Sequence, residues 1–362
     1  MVPCTCLVPV NGLVLQGTLT IGGTTFHRPV DGSEVKLADH PWGMALLDVV
    51  GADIKVGWTP HPKRSIKRDA DLLGYPLIER RIEIPAPLLY EADSIRGEER
   101  LLDFVIDQAD RALDLLRWSG CSYQRLEYLP EPAGWLPDAF AHAYIKPNEK
   151  RFKSKRYATK PRVLRVTNNW LGLAVEYTAP GQDQLLLGEI IDGVRNDEIA
   201  LAVKGALRAY GQAFYLPERE PSFLHLVYAM DALCGVGRLT GAHQRIWVAT
   251  VVQPDDATAF GRTLDAFDDL YKLRNSIVHK GASFSQLGRD AVQSTQTLLL
   301  MFMQAISSLL DSGTVDRPSM VDWVMSKIEQ ADYQAAISAR KLLGKPEDTK
   351  RFDKVRQKRS TD

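Results

Sequence analysis

The apolar and polar positions divide the chain into two halves of different character. Near the N-terminus, short apolar runs alternate with the dipeptides Asn11-Gly12, Gly22-Gly23 and Asp31-Gly32. Because such dipeptides supply the positive backbone angles of tight hairpins, this stretch predicts a β-meander. Further strands are predicted at Leu46–Trp58, Leu77–Ile84, Tyr123–Tyr128, Ala141–Ile145 and Val163–Val166.

One helix is predicted among these strands, between Glu98 and Trp118. Apolar residues recur there every three or four positions, as at Leu101, Val105 and Ala109, which is the spacing of a single buried helix face. Residues 1–185 therefore predict a mixed, mostly β module with one packed helix, which would sense or position a ligand.

From Asn196 onward the apolar spacing is almost wholly helical. The loop-forming residues Ala179–Asp183 precede this change and place a domain boundary between 180 and 195. The predicted fold class is thus α+β, with an all-α bundle over 196–312 followed by C-terminal helices and a basic tail over 313–362. Helices are predicted at Asp197–Tyr215, Ser222–Cys234, Gly241–Val252, Asp256–Lys280 and Phe284–Asp311, with two shorter ones after Pro318.

Capping residues support three of these helix ends. Ser222 follows a proline and is a favoured N-cap, while Gly235 and Gly281 suit the left-handed conformation that commonly ends a helix. The segment from Gly235 to Gly241 superficially resembles a dinucleotide-binding loop, but it follows a helix instead of a strand and its last spacing differs. We interpret it as an interhelical turn.

The net charge gives no overall attraction for nucleic acid, because 45 lysines and arginines balance 45 aspartates and glutamates. No apolar run approaches the ~18 residues of a membrane span, and the N-terminus lacks the charged start and apolar stretch of a signal peptide. With four cysteines and no histidines at ligand spacing, neither a disulfide framework nor a metal site is expected. These features predict a cytoplasmic protein that needs no cofactor and contacts no membrane.

Two stretches depart from this charge balance. Between Lys146 and Arg165, nine basic residues stand against Glu149 alone, and the tail from Lys341 is also basic. Such a stretch either holds a phosphate backbone or is a solvated surface, as charge runs usually are. The residues that we predict to bind RNA in the first stretch are Lys150, Arg151, Lys153, Lys155 and Arg156.

A charged residue lies among apolar ones near the end of the helix predicted at Asp256–Lys280. Arg274 falls inside the apolar arc that includes Phe267 and Ile277, so its guanidinium points at a core or an interface. Burial of an unpaired guanidinium is costly, so a carboxylate or a ligand phosphate should meet it.

The preceding apolar helix offers a carboxylate partner. The helix predicted at Ser222–Cys234 is apolar nearly all round, and its one acid, Asp231, is equally out of place there. We predict that Asp231 lies near Arg274 or Arg245 and orients it.

Asn275 and His279 lie four residues apart, hence on one face of the helix, at the rim of the apolar arc. RNA cleavage by transesterification needs a group that titrates near neutrality to move protons, and a cation to stabilise the phosphorane. His279 suits the first role and Arg274 the second, while Asn275 can fix the imidazole or hold a phosphate oxygen. From spacing alone, a histidine near a helix end can equally serve only to contact the last carbonyl groups.

Other chemistry lacks support in the sequence. There is no phosphate-binding loop, no zinc-protease motif and no serine nucleophile elbow, so nucleotide hydrolysis, zinc proteolysis and serine hydrolysis are not expected. The acids Asp265, Asp268 and Asp269 splay around one helix, which favours a solvated face over a metal site.

The segment Leu270–Gly281 resembles a known motif. Its Arg274-Asn275-x-x-x-His279 core is similar to the arginine–polar–x-x-x–histidine motif of the HEPN superfamily, and the whole segment looks like the LYxLRNxIVHxG form of the ApeA-like HEPN branch. Upstream, Phe223–Leu233 is similar to an apolar helix of that branch. The resemblance covers about residues 196–312.

This resemblance implies a helical HEPN bundle that dimerises, so that two copies of the motif face each other across one cleft. A symmetric pair then provides both a base and an acid, one on each side of the scissile phosphate. Such proteins are commonly metal-independent endoribonucleases in anti-phage defence, toxin–antitoxin pairs or abortive infection. Two residues depart from the pattern: Asp231 replaces a more usual glutamate, and Lys280 replaces a small or polar residue and adds a phosphate-attracting charge.

The leading hypothesis is a defence or toxin ribonuclease whose partners are RNA, a second copy of the chain, and an antitoxin or a phage-derived activator. Lys272 and Lys280 are predicted to bind RNA beside the catalytic Arg274, Asn275 and His279. The alternative is a non-catalytic HEPN module that binds nucleotide or RNA, or that serves as a dimerisation scaffold. A third possibility is that the β module acts as a receptor for a phage protein or peptide.

Overall fold

The computed structural model describes residues 1–29, 74–92, 94–136, 140–152, 154–158, 171–235, 239 and 241–340. The chain divides into two compact units, Met1–Gly188 and Glu189–Asp362. The α+β fold class is confirmed, since an antiparallel sheet comes first and a helical region follows. Several predictions lie outside the described residues: the strands Leu46–Trp58 and Val163–Val166, the Asp31-Gly32 turn, Lys153, the basic residues at 159–165, most of the interhelical turn at 235–241, and the basic tail from Lys341.

The first unit is built on a sheet of six strands among the described residues, in the order β3-β4-β5-β1-β6-β7, and all its neighbouring pairs are antiparallel. Two further short strands, β2 and β8, pair in parallel by themselves. The strands are β1 (Val2–Pro9), β2 (Leu13–Leu15), β3 (Leu19–Ile21), β4 (Thr24–His27), β5 (Leu77–Ile84), β6 (His142–Pro147), β7 (Lys155–Ala158) and β8 (Leu173–Val175).

The predicted β-meander is correct at one turn and wrong at another. The Gly22-Gly23 hairpin is confirmed, because Ile21 pairs with Thr24 across it. The Asn11-Gly12 hairpin is wrong: Gly12 does turn the chain, with a φ of 72°, but β1 and β2 do not pair. The reason is that β1 is buried almost along its whole length and takes a central place between β5 and β6.

The strand predicted at Tyr123–Tyr128 is also wrong. The chain forms a turn there and then a 3-10 helix at Leu126–Tyr128. The Ser122 hydroxyl accepts a hydrogen bond from the Gln124 amide at 3.1 Å, so local bonds of the kind that serine favours replace those of a sheet. The strands predicted at Leu77–Ile84 and Ala141–Ile145 are confirmed as β5 and β6.

Two helices belong to the first unit, α1 (Ala86–Glu91) and α2 (Ile95–Gly120), and α2 confirms the helix predicted at Glu98–Trp118. The helix α2 packs across the sheet, and β5 contacts it through a 2.8 Å hydrogen bond from Arg80 to the Gln108 carbonyl. Within α2 an arginine is fully buried: Arg117 is 0% exposed. It donates to the Asp114 carboxylate at 2.6 Å and to the Asp110 carboxylate at 2.7 Å.

All regular secondary structure in the described part of the second unit is helical, and the helices are joined by turns and loops. Most predicted helices are confirmed to within a few residues, but Ser222 is not an N-cap, because the helix already begins at Arg219 and the Ser222 hydroxyl donates to the Ala213 carbonyl. The helix predicted from Phe284 begins only at Ala291. The helices are α3 (Gln182–Asp192), which crosses the division between the units, α4 (Glu198–Ala213), α5 (Arg219–Cys234), α6 (Ala242–Val252), α7 (Ala257–Lys280), α8 (Ala291–Asp311), α9 (Arg317–Ile328) and α10 (Ala331–Ala339).

The bundle packs around apolar side chains of α4, α5 and α8. Tyr210 of α4 stacks on Phe302 of α8, with ring centroids 5.5 Å apart and an interplanar angle of 11°. The helix α7 packs against α6 and α10, and α9 packs against α6, so the helices after residue 313 belong to the same unit as the bundle. Within the described ranges, no helix is both long and apolar enough to cross a membrane.

Candidate functional site

Both ends of α7 are fixed by local interactions, which places the residues of its last turns. At the start, the Asp256 carboxylate accepts hydrogen bonds from the backbone amides of Thr258 and Ala259 at 2.8 and 2.9 Å. At the end, Gly281 takes a left-handed conformation with a φ of 63°, and its amide donates to the Ile277 carbonyl. The predicted glycine cap is therefore confirmed.

The segment that follows α7 is attached to α5. The Phe284 amide donates to the Glu220 carboxylate at 2.9 Å, and the Phe284 ring meets the edge of Phe223 at a centroid distance of 5.6 Å. These two contacts hold the C-terminal end of α7 beside the first turns of α5.

Arg274 is half-buried in the predicted apolar arc of α7. Its Nη1 donates to the Asn275 side-chain oxygen at 3.0 Å, and its Cζ lies 5.6 Å from the centre of the Tyr271 ring. Its Nε is buried, and no described residue accepts a hydrogen bond from it. Among the described residues, no carboxylate lies within ion-pairing distance of this guanidinium. Arg274 is thus held from two sides while one buried donor stays unsatisfied.

The Asp231 carboxylate of α5 lies near Arg274, and the positive charge of the guanidinium partly opposes the rise in the Asp231 pKa that burial causes. The two side chains form no ion pair. The hydrogen-bond donor to Asp231 is instead Gln244 of α6, at 2.7 Å. Burial is the dominant influence and raises the pKa of Asp231 above its usual range, against the opposing effects of Gln244 and Arg274. The orienting role of Asp231 stays a prediction.

Arg245 pairs with Asp268 of α7 and not with Asp231. Its Nε lies 2.7 Å from Asp268 Oδ1, and Lys272 Nζ lies 2.6 Å from Asp268 Oδ2. One carboxylate therefore meets two cations on the face of α7 that also carries Asn275. Lys272, a predicted RNA-binding residue, is exposed but already has this partner.

The two neighbouring acids of α7 are paired as well. Asp265 accepts two hydrogen bonds from Arg340, at 2.7 and 2.8 Å, and Asp269 pairs with Arg289. Each acid therefore meets a cation of its own. In the part of the chain that the structure describes, no group of three or more histidine, cysteine, aspartate or glutamate side chains is arranged to hold a metal ion.

His279 and Lys280 are exposed on the last turn of α7, and Asn275, one turn earlier, is half-buried. Neither His279 nor Lys280 makes a side-chain hydrogen bond or ion pair with another described residue. Between Asn275 and His279, the apolar Val278 is 40% exposed. The end of α7 thus presents two cationic or protonatable side chains beside an uncovered apolar one.

The predicted RNA-binding residues of the first unit lie at and beside the turn between β6 and β7. Lys150 and Arg151 are exposed in that turn. Lys155 and Arg156 belong to β7, where their backbones pair with Ile145 and Tyr144 of β6. These basic residues belong to the first unit, whereas Arg274 and His279 belong to the second.

A cavity of about 480 Å³ in the second unit contains none of the motif residues. It lies at the opposite end of α7, where its lining includes Asp256, Asp311, Trp323 and Lys327. At the C-terminal end of α7, His279 and Lys280 are exposed, while Arg274 and Asn275 are half-buried.

Several contacts of the site were missed from the sequence. The contact of Tyr271 with Arg274 and the ion pair of Lys272 with Asp268 carry a signal, because the partners stand three and four residues apart, the spacings at which helical side chains meet. The Gln244 contact with Asp231 carries none, because it depends on how α5 and α6 pack.

Comparisons with models of protein families, with characterised proteins and with solved structures found no match to this chain.

Proposed function

We propose that the second unit is a HEPN-type endoribonuclease module, in which Arg274 and His279 carry out RNA cleavage without a metal ion. The observation that carries this proposal is the state of Arg274: it lies in the apolar arc of α7, and no described residue neutralises its charge as a carboxylate or accepts a hydrogen bond from its buried Nε. A guanidinium in that state is suited to receive the oxygens of a phosphate, which accept hydrogen bonds and balance its charge.

The chemistry follows from the side chains at the end of α7. A base removes the proton of the RNA 2′-hydroxyl, and the 2′-oxygen attacks the adjacent phosphorus. The bond from phosphorus to the 5′-oxygen breaks, and an acid returns a proton to that oxygen. The products are a 2′,3′-cyclic phosphate and a 5′-hydroxyl, so no oxidant, water or metal is consumed. Arg274 stabilises the additional negative charge of the phosphorane, and His279 transfers protons.

One histidine cannot act as base and acid on opposite sides of one phosphate in the same step. A second copy of the chain, related by two-fold symmetry, supplies the other histidine. The exposed Val278 beside His279 gives such an interface an apolar contact, and an interface also gives the His279 ring an orientation that no described residue of its own chain provides. Asn275, which accepts the hydrogen bond from Arg274, positions the guanidinium.

The resemblance to the HEPN superfamily also supports a cellular role for this activity. We place it in the cytoplasm, in anti-phage defence or as the toxin of a toxin–antitoxin pair. Its partners in that role are RNA, a second copy, and an antitoxin or phage-derived activator.

The test compares purified wild-type protein with His279→Ala on mixed transfer and messenger RNA in the presence of a chelator. Loss of the proton-transfer group should lower the cleavage rate by about 10²- to 10⁴-fold. Arg262→Ala is the matched control, because it removes an exposed cation from the same helix several turns away and should cleave like the wild type. Mapping of the cut ends should show cyclic phosphates, and unchanged mass in solution should show that the dimer survives. Full cleavage by His279→Ala would remove the histidine from the mechanism.

The second candidate is a HEPN module that binds RNA or nucleotide without cleaving it. The lack of any described hydrogen bond to the His279 ring favours it, because general acid–base catalysis needs an oriented ring. Its expected geometry includes an ion pair of Arg274 with Asp231, which the described residues do not form. If His279→Ala and the wild type bind RNA equally and neither cleaves it, this second function replaces the first.

A further inference from the structure

An aromatic cluster with an arginine lies on the surface of the first unit. Tyr90, near the end of α1, is 60% exposed, and its ring centroid lies 5.0 Å from that of Phe152 in the turn between β6 and β7. The Arg151 guanidinium lies over both rings, with its Cζ 5.8 Å from the Tyr90 centroid and 5.0 Å from the Phe152 centroid. Three planar groups are therefore grouped at one exposed site.

The guanidinium of this cluster is oriented by a carboxylate. Arg151 Nε lies 2.5 Å from Glu149 Oε2, so the arginine is fixed by an ion pair as well as by the rings. A second acid, Glu91, follows Tyr90 in the sequence and pairs with Arg100. Because Arg151 and Arg100 balance Glu149 and Glu91, the exposed Lys150 in the same turn adds a positive charge to the described part of the cluster.

We propose that Tyr90, Arg151 and Phe152 form a stacking platform for the bases of single-stranded RNA, with Lys150 contacting its phosphates. Exposed aromatic rings bind bases of any sequence, because every base has a π face, and arginine planes stack in the same way. A duplex would hide its bases from this site, so the ligand is unpaired RNA. RNA as the natural ligand rests on the proposed function of the second unit, whereas the platform itself rests on the first unit alone.

A second aromatic–arginine pair in the first unit shows why the charge around the rings decides the ligand. Arg125 lies over the Tyr128 ring at 5.9 Å. The acid Glu127 lies between Arg125 and Tyr128 in the sequence, and Tyr128 is only half-exposed. The negative carboxylate beside this ring repels phosphates, so the Arg125–Tyr128 pair should not bind RNA. It serves as the matched control.

The experiment measures binding of a fluorescently labelled single-stranded RNA of mixed sequence to the full chain, with His279→Ala as the background so that no cleavage occurs. Tyr90→Ala should weaken binding about tenfold, and Tyr90→Trp should keep it, because a larger ring still stacks. Tyr128→Ala should bind as tightly as the background. Lys150→Ala should weaken binding and reduce the slope of log affinity against log salt by about 0.7, the effect of one lost phosphate contact on a single strand.

The results separate this proposal from the proposed function. Equal binding by Tyr90→Ala and the background overturns the platform, even if the wild type cleaves RNA. Equal weakening by Tyr90→Ala and Tyr128→Ala also overturns it, because the loss then reflects general damage to the unit. If Tyr90→Ala alone weakens binding but the wild type never cleaves, the platform stands and the ribonuclease assignment fails. If Tyr90→Ala still binds RNA but no longer binds a protein that the wild type binds, the surface serves a protein partner and the proposal is overturned.

Discussion

Two arginines on long helices, one in each unit, meet their surroundings in opposite ways. Arg117 of α2 is fully buried and donates to the carboxylates of Asp110 and Asp114 and to the Asp110 carbonyl. Arg274 of α7 is half-buried and donates to one neutral amide oxygen, and its Nε meets no acceptor in the described part of the chain. The two environments teach that burial of a guanidinium does not by itself identify a functional site. What distinguishes Arg274 is the absence, among the described residues, of the carboxylate that burial would demand.

The largest expected effect concerns the satisfied arginine. Arg117→Met leaves two buried carboxylates without their cation, so we expect the free energy of unfolding of the first unit to fall by about 3–5 kcal/mol. Urea unfolding followed by tryptophan fluorescence measures this loss. Adding Asp110→Asn and Asp114→Asn should recover much of it, since the amides remove the two buried negative charges and the side-chain oxygen at position 110 can still accept from the Ala133 amide. If the single and triple variants are equally unstable, charge is not the reason for the loss.

The unsatisfied arginine should show the reverse behaviour. We expect Arg274→Gln to lower the rate of RNA cleavage by about 10²- to 10³-fold, because the phosphorane loses its cation. The free energy of unfolding should change by less than about 1 kcal/mol, since no described ion pair is broken. Single-turnover cleavage and urea unfolding of the same preparation measure both quantities. A loss of several kcal/mol would show that Arg274 is a structural residue like Arg117.

The smallest expected effect concerns the carboxylate near Arg274. Because burial raises the pKa of Asp231, the folded protein binds its proton more tightly than the unfolded chain does, and stability falls as pH rises from the ordinary value of 3.8 through the raised value. Asp231→Asn has no titrating carboxyl group at this position. Its free energy of unfolding should match that of the wild type below this pH range and exceed it above the range. Urea unfolding across the pH range checks the sign.

The same substitution tests whether Asp231 orients Arg274. If it does, Asp231→Asn should cleave RNA roughly fivefold to tenfold more slowly, which corresponds to an activation barrier about 1 kcal/mol higher. The same variant should be more stable than the wild type at neutral pH. Unchanged cleavage would leave Asp231 as a buried acid that accepts a hydrogen bond from Gln244 and has no part in the reaction.

The helices were predictable where their signals are local. The bounds of α7 follow from its apolar spacing, the Asp256 cap and the Gly281 cap, and all three are short-range features of the sequence. The position of Arg274 in the apolar arc could be predicted for the same reason. The lack of a described ion pair for Arg274 could not be predicted, because it depends on which side chains α5 and α6 bring to α7. Asp231 receives its hydrogen bond from Gln244 instead.

The sheet was less predictable, because its pairings join distant parts of the chain. No local pattern indicates that Leu13 pairs with Leu173, or that β1 lies between β5 and β6. The Asn11-Gly12 turn is a genuine local signal, but a turn alone does not specify the strand that receives the chain after it. The Tyr90 cluster was missed for a similar reason, since α1 and the turn at Phe152 meet only in the folded unit.

The order of charges along α7 bears on how strongly any anion is held at its end. The acids Asp265, Asp268 and Asp269 precede Lys272, Arg274 and Lys280 along the helix. The aligned peptide dipoles place about half a negative charge at the C-terminal end of a helix, so these cations stabilise α7. The same partial charge reduces the positive potential that the cations present to an approaching anion. An anion that approaches Arg274 is repelled by the backbone and attracted by the side chains at once. Each cation at this end therefore accounts for a larger share of the net attraction than it would at the N-terminal end of a helix.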